Sequence, residues 1–456
     1  MFEQIIDAVN SFVWGPVMLV LILGTGIYLT LGLKGMTISH IPYAFRQLIN
    51  GRKGSGEGEI SPFNALMTSL SSTIGMGNIA GVATAIGLGG PGALFWMWFA
   101  AFFGMATKYA EAVLAVNYRE TDELGRKVGG PMYYIKNGLG KNYRWLGGAF
   151  ALFGSLAGFG LANTVQSNAV SQVLQTNFDI STVISGLVMA SLVGMVLIGG
   201  IRRIAEVAGK LVPFMTILYI VATVAILVSN FSAIPGAISL VIESAFTGIA
   251  ASGGFAGATI MLAMRMGIAR GIFSNEAGLG SAPIAHAAAE TNSPVRQGTI
   301  AMLGTFIDTL VICTMTGLVL IVTGVWNGEP QGAGMTLSAF NQALPFGDLI
   351  LSLCVVLFAF TTMLGWSYYG ERCAEFLLGS KVILPFRILW VIGIFVGTQM
   401  SLEVVWKMTD ALNGLMAIPN LIALILLAPV VFQLSREYFA EEAAANLAEE
   451  NSKPSS

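Results

Sequence analysis

Charged residues are scarce in this chain of 456 residues, of which only 11% are Asp, Glu, Lys or Arg. Soluble proteins carry about 25% charged residues, whereas segments buried in hydrocarbon carry very few. Hydrophobic residues make up 55% of the chain. The shortage of charge therefore excludes an ordinary soluble protein and predicts an integral membrane protein.

Cysteine and histidine are also rare. Cys313, Cys354 and Cys373 all lie in or beside apolar stretches, so a disulfide framework is not expected. The two histidines, His40 and His286, do not combine with them into a zinc site. The formal net charge of −2 argues against a nucleic-acid partner.

Long hydrophobic runs and glycine, with 55 residues, are what the chain has in excess. A helix needs about 20 apolar residues to cross a bilayer core of roughly 30 Å. Glu3 and Asp7 precede the first run and no Lys or Arg does, so we expect a retained helix rather than a cleaved signal. The predicted spans are 13–33, 62–88, 91–117, 145–176, 180–200, 211–229, 255–289, 298–324, 349–378, 383–401 and 409–433.

Lys and Arg residues between these spans fall almost entirely on one side of the membrane. If the N-terminus is outside, the outer side holds only Lys407. Cytoplasmic loops are the ones enriched in Lys and Arg. We therefore predict a multi-pass protein of the cell membrane with an outer N-terminus and a cytoplasmic C-terminus, and we interpret Arg202 and Arg203 as part of this topology signal.

Two spans carry Gly-x-Gly in the middle of the membrane, in the segments 71–78 (SSTIGMGN) and 274–281 (SNEAGLGS). One constant shift along the sequence aligns both motifs and also aligns Pro91 with Pro294, each at the expected start of the next helix. Spans 2–6 and 7–11 thus form candidate repeats of five helices. Because five is odd, the second repeat must enter the membrane from the opposite side, which defines an inverted repeat.

This repeat divides the chain into four parts. We predict an N-terminal helix with an interfacial segment (1–61), a first repeat (62–230), an interfacial segment with the second repeat (231–433) and an acidic cytoplasmic tail (434–456) that begins with a short helix.

A helix that unwinds at Gly-x-Gly exposes N–H groups at the start of one half and carbonyls at the end of the other. The N–H groups favour an anion such as a carboxylate, and free carbonyls and hydroxyls suit sodium. A zwitterion and cations can therefore be held together at such breaks. The alternative is that each Gly-x-Gly only permits close helix packing.

With these motifs in place, the sequence resembles the alanine or glycine:cation symporter family, also called sodium:alanine symporters. The most specific stretch is 271–286 (GIFSNEAGLGSAPIAH), supported by 71–80, 90–94 and 129–134, and the likeness covers about residues 10–435. The resemblance implies an all-α membrane protein of about eleven transmembrane helices, with the leucine-transporter-type 5+5 inverted repeat and one extra N-terminal helix. It also implies sodium-coupled symport of alanine or glycine, with sodium as coupling ion and no cofactor.

The family resemblance implies a substrate site at the two breaks. The amides of Met76 and Gly77 would bind the substrate carboxylate, and the carbonyls of Phe273 and Ser274 its ammonium group. Gln166 is our choice for a further contact, because span 4 has no clear equivalent of the pocket tyrosine of the related fold. The expected substrate contacts are Thr73, Gly75, Met76, Gly77, Gln166, Phe273, Ser274, Glu276 and Trp366.

The resemblance also implies two cation sites. The Thr73 carbonyl and the Asn78 side chain match one, and the carbonyls of Ser71 and Ile74 with a hydroxyl pair match the other. Without the family resemblance, the hydroxyls of this pair, Thr361 and Thr362, would be expected to donate to carbonyls one turn earlier in their own helix. The expected cation ligands are Ser71, Thr73, Ile74, Asn78, Ser274, Thr361 and Thr362.

Trp366 lies one helical turn after Thr362 and shares its face. A Trp at this position leaves room for a methyl group or a hydrogen, which favours alanine or glycine over leucine. Glu276 replaces a small hydroxyl residue of the related fold and could bind a cation or a proton, pair with Arg270 or cap exposed amides. Span 8 offers only Thr305 and Asp308 as candidates for a further cation ligand.

Other buried polar residues are expected to be structural. Lys108 and Glu111 are three residues apart on one helix, and we expect them to form an ion pair. His286 is expected to have a structural role.

Three other functions stay open at this point. A proton-coupled carrier would rest on Glu276 or Asp308, and an ion channel could use polar residues at the breaks as a constriction. A membrane enzyme is disfavoured because no intramembrane His cluster or paired aspartates are evident, and no ATP-binding P-loop occurs.

Overall fold

The structure is a computed structural model that describes residues 2–247, 260–328, 332–400 and 403–452. Within these ranges the chain is helical, apart from one antiparallel pair of short strands, β1 (Glu120–Thr121) and β2 (Lys127–Val128). The predicted all-α class is confirmed. The start of the predicted span 255–289, residue 401 of the span 383–401 and residues 453–456 of the predicted tail lie outside the described residues.

The helices follow one another along the chain with short connections. Those of the first half are α1 (Phe2–Val13), α2 (Pro16–Gly32), α3 (Met36–Ser39), α4 (Ile41–Asn50), α5 (Pro62–Thr73), α6 (Val82–Gly89), α7 (Gly92–Asn117), α8 (Pro131–Gly138), α9 (Arg144–Ala157), α10 (Val165–Phe178), α11 (Thr182–Leu197) and α12 (Gly200–Ser229). Those of the second half are α13 (Ile234–Thr247), α14 (Ile260–Asn275), α15 (Pro283–Ala287), α16 (Pro294–Thr305), α17 (Thr314–Val322), α18 (Ala333–Ala343), α19 (Gly347–Leu378), α20 (Ile383–Gly397) and α21 (Glu403–Ser452).

Among the described residues, eight helical stretches are long and apolar enough to cross a membrane. The shorter apolar helix α11 and the two interrupted helices, 62–89 and 260–287, complete the eleven predicted crossings. The eight are Gln4–Gly32, Gly92–Asn117, Lys141–Phe178, Gly200–Ser229, Pro294–Val322, Gly347–Leu378, Ser380–Gly397 and Trp406–Ala445.

The last helix is longer than predicted. Instead of a separate short helix in the tail, α21 continues without a break to Ser452. No Gly or Pro occurs after Pro429 within this helix, so nothing in the local sequence stops it.

Serine caps and prolines fix where several membrane helices begin. Ser61 and Ser293 each precede a proline, and their hydroxyl oxygens accept the N–H groups of Asn64 and Arg296 at 3.2 Å. A Ser cap followed by Pro at the first helical position is a strong start signal. These caps set the start of α5, the first half of one broken helix, and of α16.

The interrupted helices lie in the middle of the bundle. α7 packs against α14 and α16, while α5 packs against α12 and α19. The outer faces of α11, α12 and α20 carry exposed apolar side chains such as Leu187, Ile217 and Leu384, as expected of surfaces that contact lipid. The breaks are therefore enclosed by protein, where irregular backbone is tolerated.

Candidate functional site

The first helix break releases both a carbonyl and a set of N–H groups. α5 ends at Thr73, and Ile74 adopts an extended conformation. The N–H of Gly75, which would bond the Ser71 carbonyl in an intact helix, instead donates to Asn78 Oδ1 at 2.9 Å. Residues from Met76 onward begin the second half, and the first N–H groups of a helix have no intrahelical acceptor. A break of this kind frees carbonyls, which suit a cation, and N–H groups, which suit an anion.

A buried aspartate joins this break to the second one. Asp308 Oδ1 accepts Asn78 Nδ2 at 2.8 Å, and Asp308 Oδ2 accepts the Ser274 hydroxyl at 2.9 Å. The backbones also meet here, because a Cβ added to Gly77 would lie 3.3 Å from Ser274 Cα. All these side chains are buried. We call Asn78, Ser274 and Asp308 the polar cluster.

The polar cluster includes a residue that our expected site set lacks. Sequence reasoning named Asp308 only as a candidate beside Thr305, whose hydroxyl has no hydrogen-bond partner among the described residues. Asp308 lies in a π-helical segment, Phe306–Cys313, that separates α16 from α17. Single-turn π-helical segments often occur at functional sites. The sequence signal that could have identified Asp308 is the rarity of an Asp inside an apolar span.

Glu276 holds the loop of the second break. Its φ of +57° places it in the left-handed region, which is uncommon for residues other than glycine. One carboxylate oxygen accepts the indole N–H of Trp366 at 2.8 Å, and the other accepts the Ser281 hydroxyl. The suggested pairing with Arg270 does not form, because Arg270 contacts Asp410 at 3.7 Å. Glu276 and Trp366 therefore lie together, with the indole ring fixed by the carboxylate.

The amides of the second break already have an anionic partner. Glu111 Oε1 accepts the N–H groups of Gly278 and Gly280 at 3.1 and 3.2 Å, and Asn420 Nδ2 at 2.7 Å. The predicted ion pair of Glu111 with Lys108 is wrong, since Lys108 Nζ has no hydrogen-bond partner among the described residues. The hydrogen bonds of Glu111 therefore go to the loop of the second break and to α21, while the charge of Lys108 attracts the carboxylate without a direct contact.

Thr362 and Gln166 meet the first break. A Cβ added to Gly75 would lie 2.7 Å from Thr362 Oγ1 and 3.9 Å from Gln166 Oε1. In the structure the Thr362 hydroxyl donates to the Phe358 carbonyl at 2.9 Å. Two predicted site residues, Thr362 of α19 and Gln166 of α10, are thus brought to Gly75.

Thr361 points elsewhere. Its hydroxyl donates to the carbonyls of Leu357 and Phe358 at 3.1 Å and lies 3.4 Å from Met215 Sδ of α12. Ser71 does approach α19, because a Cβ added to Gly365 would lie 2.6 Å from Ser71 Oγ. The structure therefore brings one hydroxyl of the predicted pair to the break and turns the other towards α12.

Phe273 marks the outer limit of the site. Its ring stacks on Trp406 with centroids 6.5 Å apart, and the Arg270 guanidinium lies 5.4 Å above it. Beside these stacked rings is a cavity of about 500 Å³ between α1, α14 and α21, lined by Asp7 and Asp410 among others. Phe273 lines this cavity, while the adjacent Ser274 belongs to the polar cluster.

The opposite end of the second broken helix is tied to the loop before α5. Arg119 donates to four carbonyls at 2.6–3.0 Å, those of Glu57, Ala287, Ala289 and Thr291. The Ile60 carbonyl also accepts the N–H of Glu290 at 2.7 Å. His286, in this region, contacts Gln297 at 2.7 Å, in keeping with a structural role. This end of the site is closed by main-chain hydrogen bonds.

The chain is similar to several known proteins. The model of the sodium:alanine symporter family matches residues 1–452. A sodium/alanine symporter of Methanococcus maripaludis is 50% identical over 444 residues, which are 96% of this chain and 97% of that protein. A probable sodium/glutamine symporter of Bacillus subtilis is 38% identical, over 97% and 92% of the two chains.

Among solved structures, a Na⁺-coupled sialic acid symporter matches with a TM-score of 0.51 at 12% identity, over 88% of this chain and 82% of that one. At this identity the likeness bears on the fold alone. It confirms the leucine-transporter-type architecture that the family resemblance implied.

Proposed function

This chain belongs to the sodium:alanine symporter family, and from its polar cluster we propose that it carries alanine or glycine into the cell together with sodium. It is a transporter and not an enzyme, and sodium-coupled amino-acid symport is the activity that its family supports. The observation that carries the proposal is Asp308, which bonds Asn78 of one broken helix and Ser274 of the other. A cation bound there would order both breaks at once.

The substrate would bind across the two breaks. Its carboxylate would meet the amides of Met76 and Gly77, because those of Gly278 and Gly280 are already bonded to Glu111. Its ammonium group would meet carbonyls at the end of α14, at Phe273 and Ser274. Such ends of half-helices carry the complementary partial charges.

Trp366 would limit the size of the substrate. Its indole is held by Glu276 and lies 3.6 Å from a Cβ placed at Gly158 of the neighbouring π-helical segment, Gly158–Thr164. A ring fixed on two sides cannot easily move to admit a larger side chain. This supports a methyl group or a hydrogen as the substrate side chain.

Two sodium sites would use the oxygen ligands of the first break. One would combine the Thr73 carbonyl with Asn78, Ser274 and Asp308, the last of which is not among the cation ligands expected from the sequence. The other would combine the carbonyls of Ser71 and Ile74 with Thr362, and with Thr361 after rotation of its side chain. A carboxylate in the first site adds the charge that a hydroxyl or amide ligand lacks.

We propose transport by alternating access, with the present conformation closed on the side of Arg119. The cavity beyond Phe273 supports this assignment, because it approaches the site from the other side. The distribution of Lys and Arg supports an extracellular cavity side and a cytoplasmic Arg119 side in the plasma membrane.

The test is uptake of labelled alanine by proteoliposomes with and without an inward sodium gradient. We expect accumulation above equilibrium only with the gradient, and a loss of sodium dependence in Asp308→Asn. Thr316→Val is a matched control, because it removes another buried hydrogen bond of the same span, 2.7 Å to Tyr219. Equal uptake in potassium or under a proton gradient would contradict sodium coupling, and wild-type behaviour of Asp308→Asn would contradict the cation site.

A further inference from the structure

A second cavity lies far from the polar cluster, where α11 turns into α12 beside the end of α19. It measures about 220 Å³. Four arginines line it together with two acids: Arg126, Arg202, Arg372, Arg387, Glu59 and Glu371. Nothing in the transport site described above uses this cavity.

The start of α12 faces this cavity. The residues Gly199 to Arg202 line it, and Gly199 caps a helix of 30 residues without a side-chain hydrogen bond. The first N–H groups of a helix have no intrahelical acceptor, and its start carries a partial positive charge. This first turn holds no acidic residue, and Arg202 is the one of its two arginines that lines the cavity. Its charge therefore favours an anion from outside the helix.

Arg372 supplies an independent sign of a missing acceptor. Its side chain is only 3% exposed, and its two terminal nitrogens pair with Glu371 at 2.7 Å and Glu375 at 2.5 Å. Its Nε, however, has no hydrogen-bond partner in the described part of the chain. A buried donor without an acceptor costs about 1–3 kcal/mol, so such groups usually bind water, an ion or a ligand.

The charges lining the cavity leave a positive excess. Glu371 is shared between Arg372 and Arg387, and Arg126 pairs with Asp122 and Glu375 outside the lining. Arg202 is exposed and makes no ion pair with a described residue. Glu59 is the one other acid of the lining, so four arginines face two carboxylates there. An added anion would therefore be held by Arg202, Arg372 and the start of α12.

The surroundings of the cavity are apolar and exposed. Ile198, which lines it, is 79% exposed, and Leu384 and Ile388 are exposed on either side of Arg387 on α20. In a membrane protein such side chains contact acyl chains, so the cavity lies where acyl chains meet headgroups.

We propose that this cavity binds a phosphate group, and that its source is the phosphodiester of an anionic phospholipid. The phosphate would accept hydrogen bonds from Arg372 Nε, from Arg202 and from the amides at the start of α12. It would thereby connect α12 to the end of α19 and to α20. No covalent step is involved.

The test measures thermal unfolding of the purified full chain in detergent with added phosphatidylglycerol or phosphatidylcholine. Arg202→Gln removes a lining charge, and Arg203→Gln is its control, since it removes the same charge from the same helical turn outside the lining. We expect phosphatidylglycerol to raise the unfolding midpoint of the wild type and of Arg203→Gln, and its apparent affinity to fall at least fivefold in Arg202→Gln. Both variants should unfold normally without lipid, because Arg202 and Arg203 are exposed.

Two further arms identify the source of the phosphate. If millimolar inorganic phosphate displaces phosphatidylglycerol, as seen by counting bound lipids in native mass spectrometry, the shared phosphate chemistry is supported. If inorganic phosphate alone stabilises the protein and phosphatidylglycerol does not, the lipid source is wrong. Equal effects of phosphatidylglycerol and phosphatidylcholine, or equal losses in both variants, would overturn the site itself.

Discussion

Gly75 offers the most direct test of the geometry at the first helix break. Replacing it with alanine adds one methyl group at the point where α5, α10 and α19 meet. That Cβ would lie 2.7 Å from Thr362 Oγ1, a distance that real Cβ atoms essentially never show. Either α19 or the break must therefore move by several tenths of an ångström.

The expected size of the effect follows from this overlap. Overpacking by one methylene in a tightly packed site costs about 1–3 kcal/mol. If the cost falls on the loaded site, the affinity for sodium or alanine drops by about 5- to 150-fold. If it falls on every conformation, the loss appears instead in the stability of the whole protein.

Gly81 provides the matched control, since it lies just after the break, in the π-helical segment Gly77–Gly81, and a Cβ there would meet nothing within 4 Å. Gly81→Ala should be neutral or slightly stabilising, because alanine is the better helix former by about 1 kcal/mol. Both variants are compared by the sodium concentration for half-maximal alanine uptake in proteoliposomes and by the midpoint of thermal unfolding. The double variant Gly75→Ala/Thr362→Ala should regain stability relative to Gly75→Ala but not sodium-driven uptake.

The reasoning would be refuted by a Gly75→Ala protein that matches Gly81→Ala in uptake, sodium dependence and stability. Recovery of sodium-driven uptake in the double variant would show that Thr362 is not a cation ligand.

Three further predictions follow from other contacts. Trp366→Phe keeps an aromatic side chain and loses the bond to Glu276, so alanine uptake should fall without leucine becoming a competitor. Trp366→Ala should admit leucine. Equal inhibition of alanine uptake by leucine in both variants would contradict the size limit. Arg119→Gln removes the donor shared by four carbonyls and should destabilise the fold by about 2–4 kcal/mol in denaturant unfolding. Lys141→Gln, at an exposed position, should leave the stability unchanged. An unchanged unfolding midpoint of Arg119→Gln would mean that the hydrogen bonds of Arg119 are dispensable. Glu111→Ala should destabilise the fold by about 2–5 kcal/mol because two buried amides lose their acceptor. Glu111→Gln keeps an acceptor oxygen and should lose less stability. A greater loss of stability in Glu111→Gln than in Glu111→Ala would contradict the proposed bonding.

The architecture was predictable because hydropathy and glycine placement are local signals. Eleven apolar spans and two Gly-x-Gly motifs before Pro91 and Pro294 suffice to suggest an inverted repeat, and the structure begins α7 immediately after Pro91 and α16 at Pro294. Boundaries were harder, since the continuation of α21 to Ser452 depends on the absence of a stop signal.

The polar contacts were less predictable because they join residues far apart in sequence. Neighbours on a helix point about 100° apart, and in this conformation only Thr362 meets Gly75, while the Thr361 hydroxyl lies against Met215. Spacing on α7 suggested a Lys108–Glu111 pair, yet the partners of Glu111 come from the second break and from Asn420 of α21. Asp308 depends on a π-helical segment, which changes the face that a residue presents and has no simple sequence pattern.

Glu111 makes the two breaks chemically unequal although the repeat makes them structural counterparts. A fold with internal two-fold symmetry presents two similar cradles for a carboxylate, and a zwitterion could then lie in either of two opposed orientations. Here one cradle contains a carboxylate that belongs to the protein. If the substrate binds as proposed, this single side chain would give the site one direction, because a zwitterion would have only one way to lie between the halves.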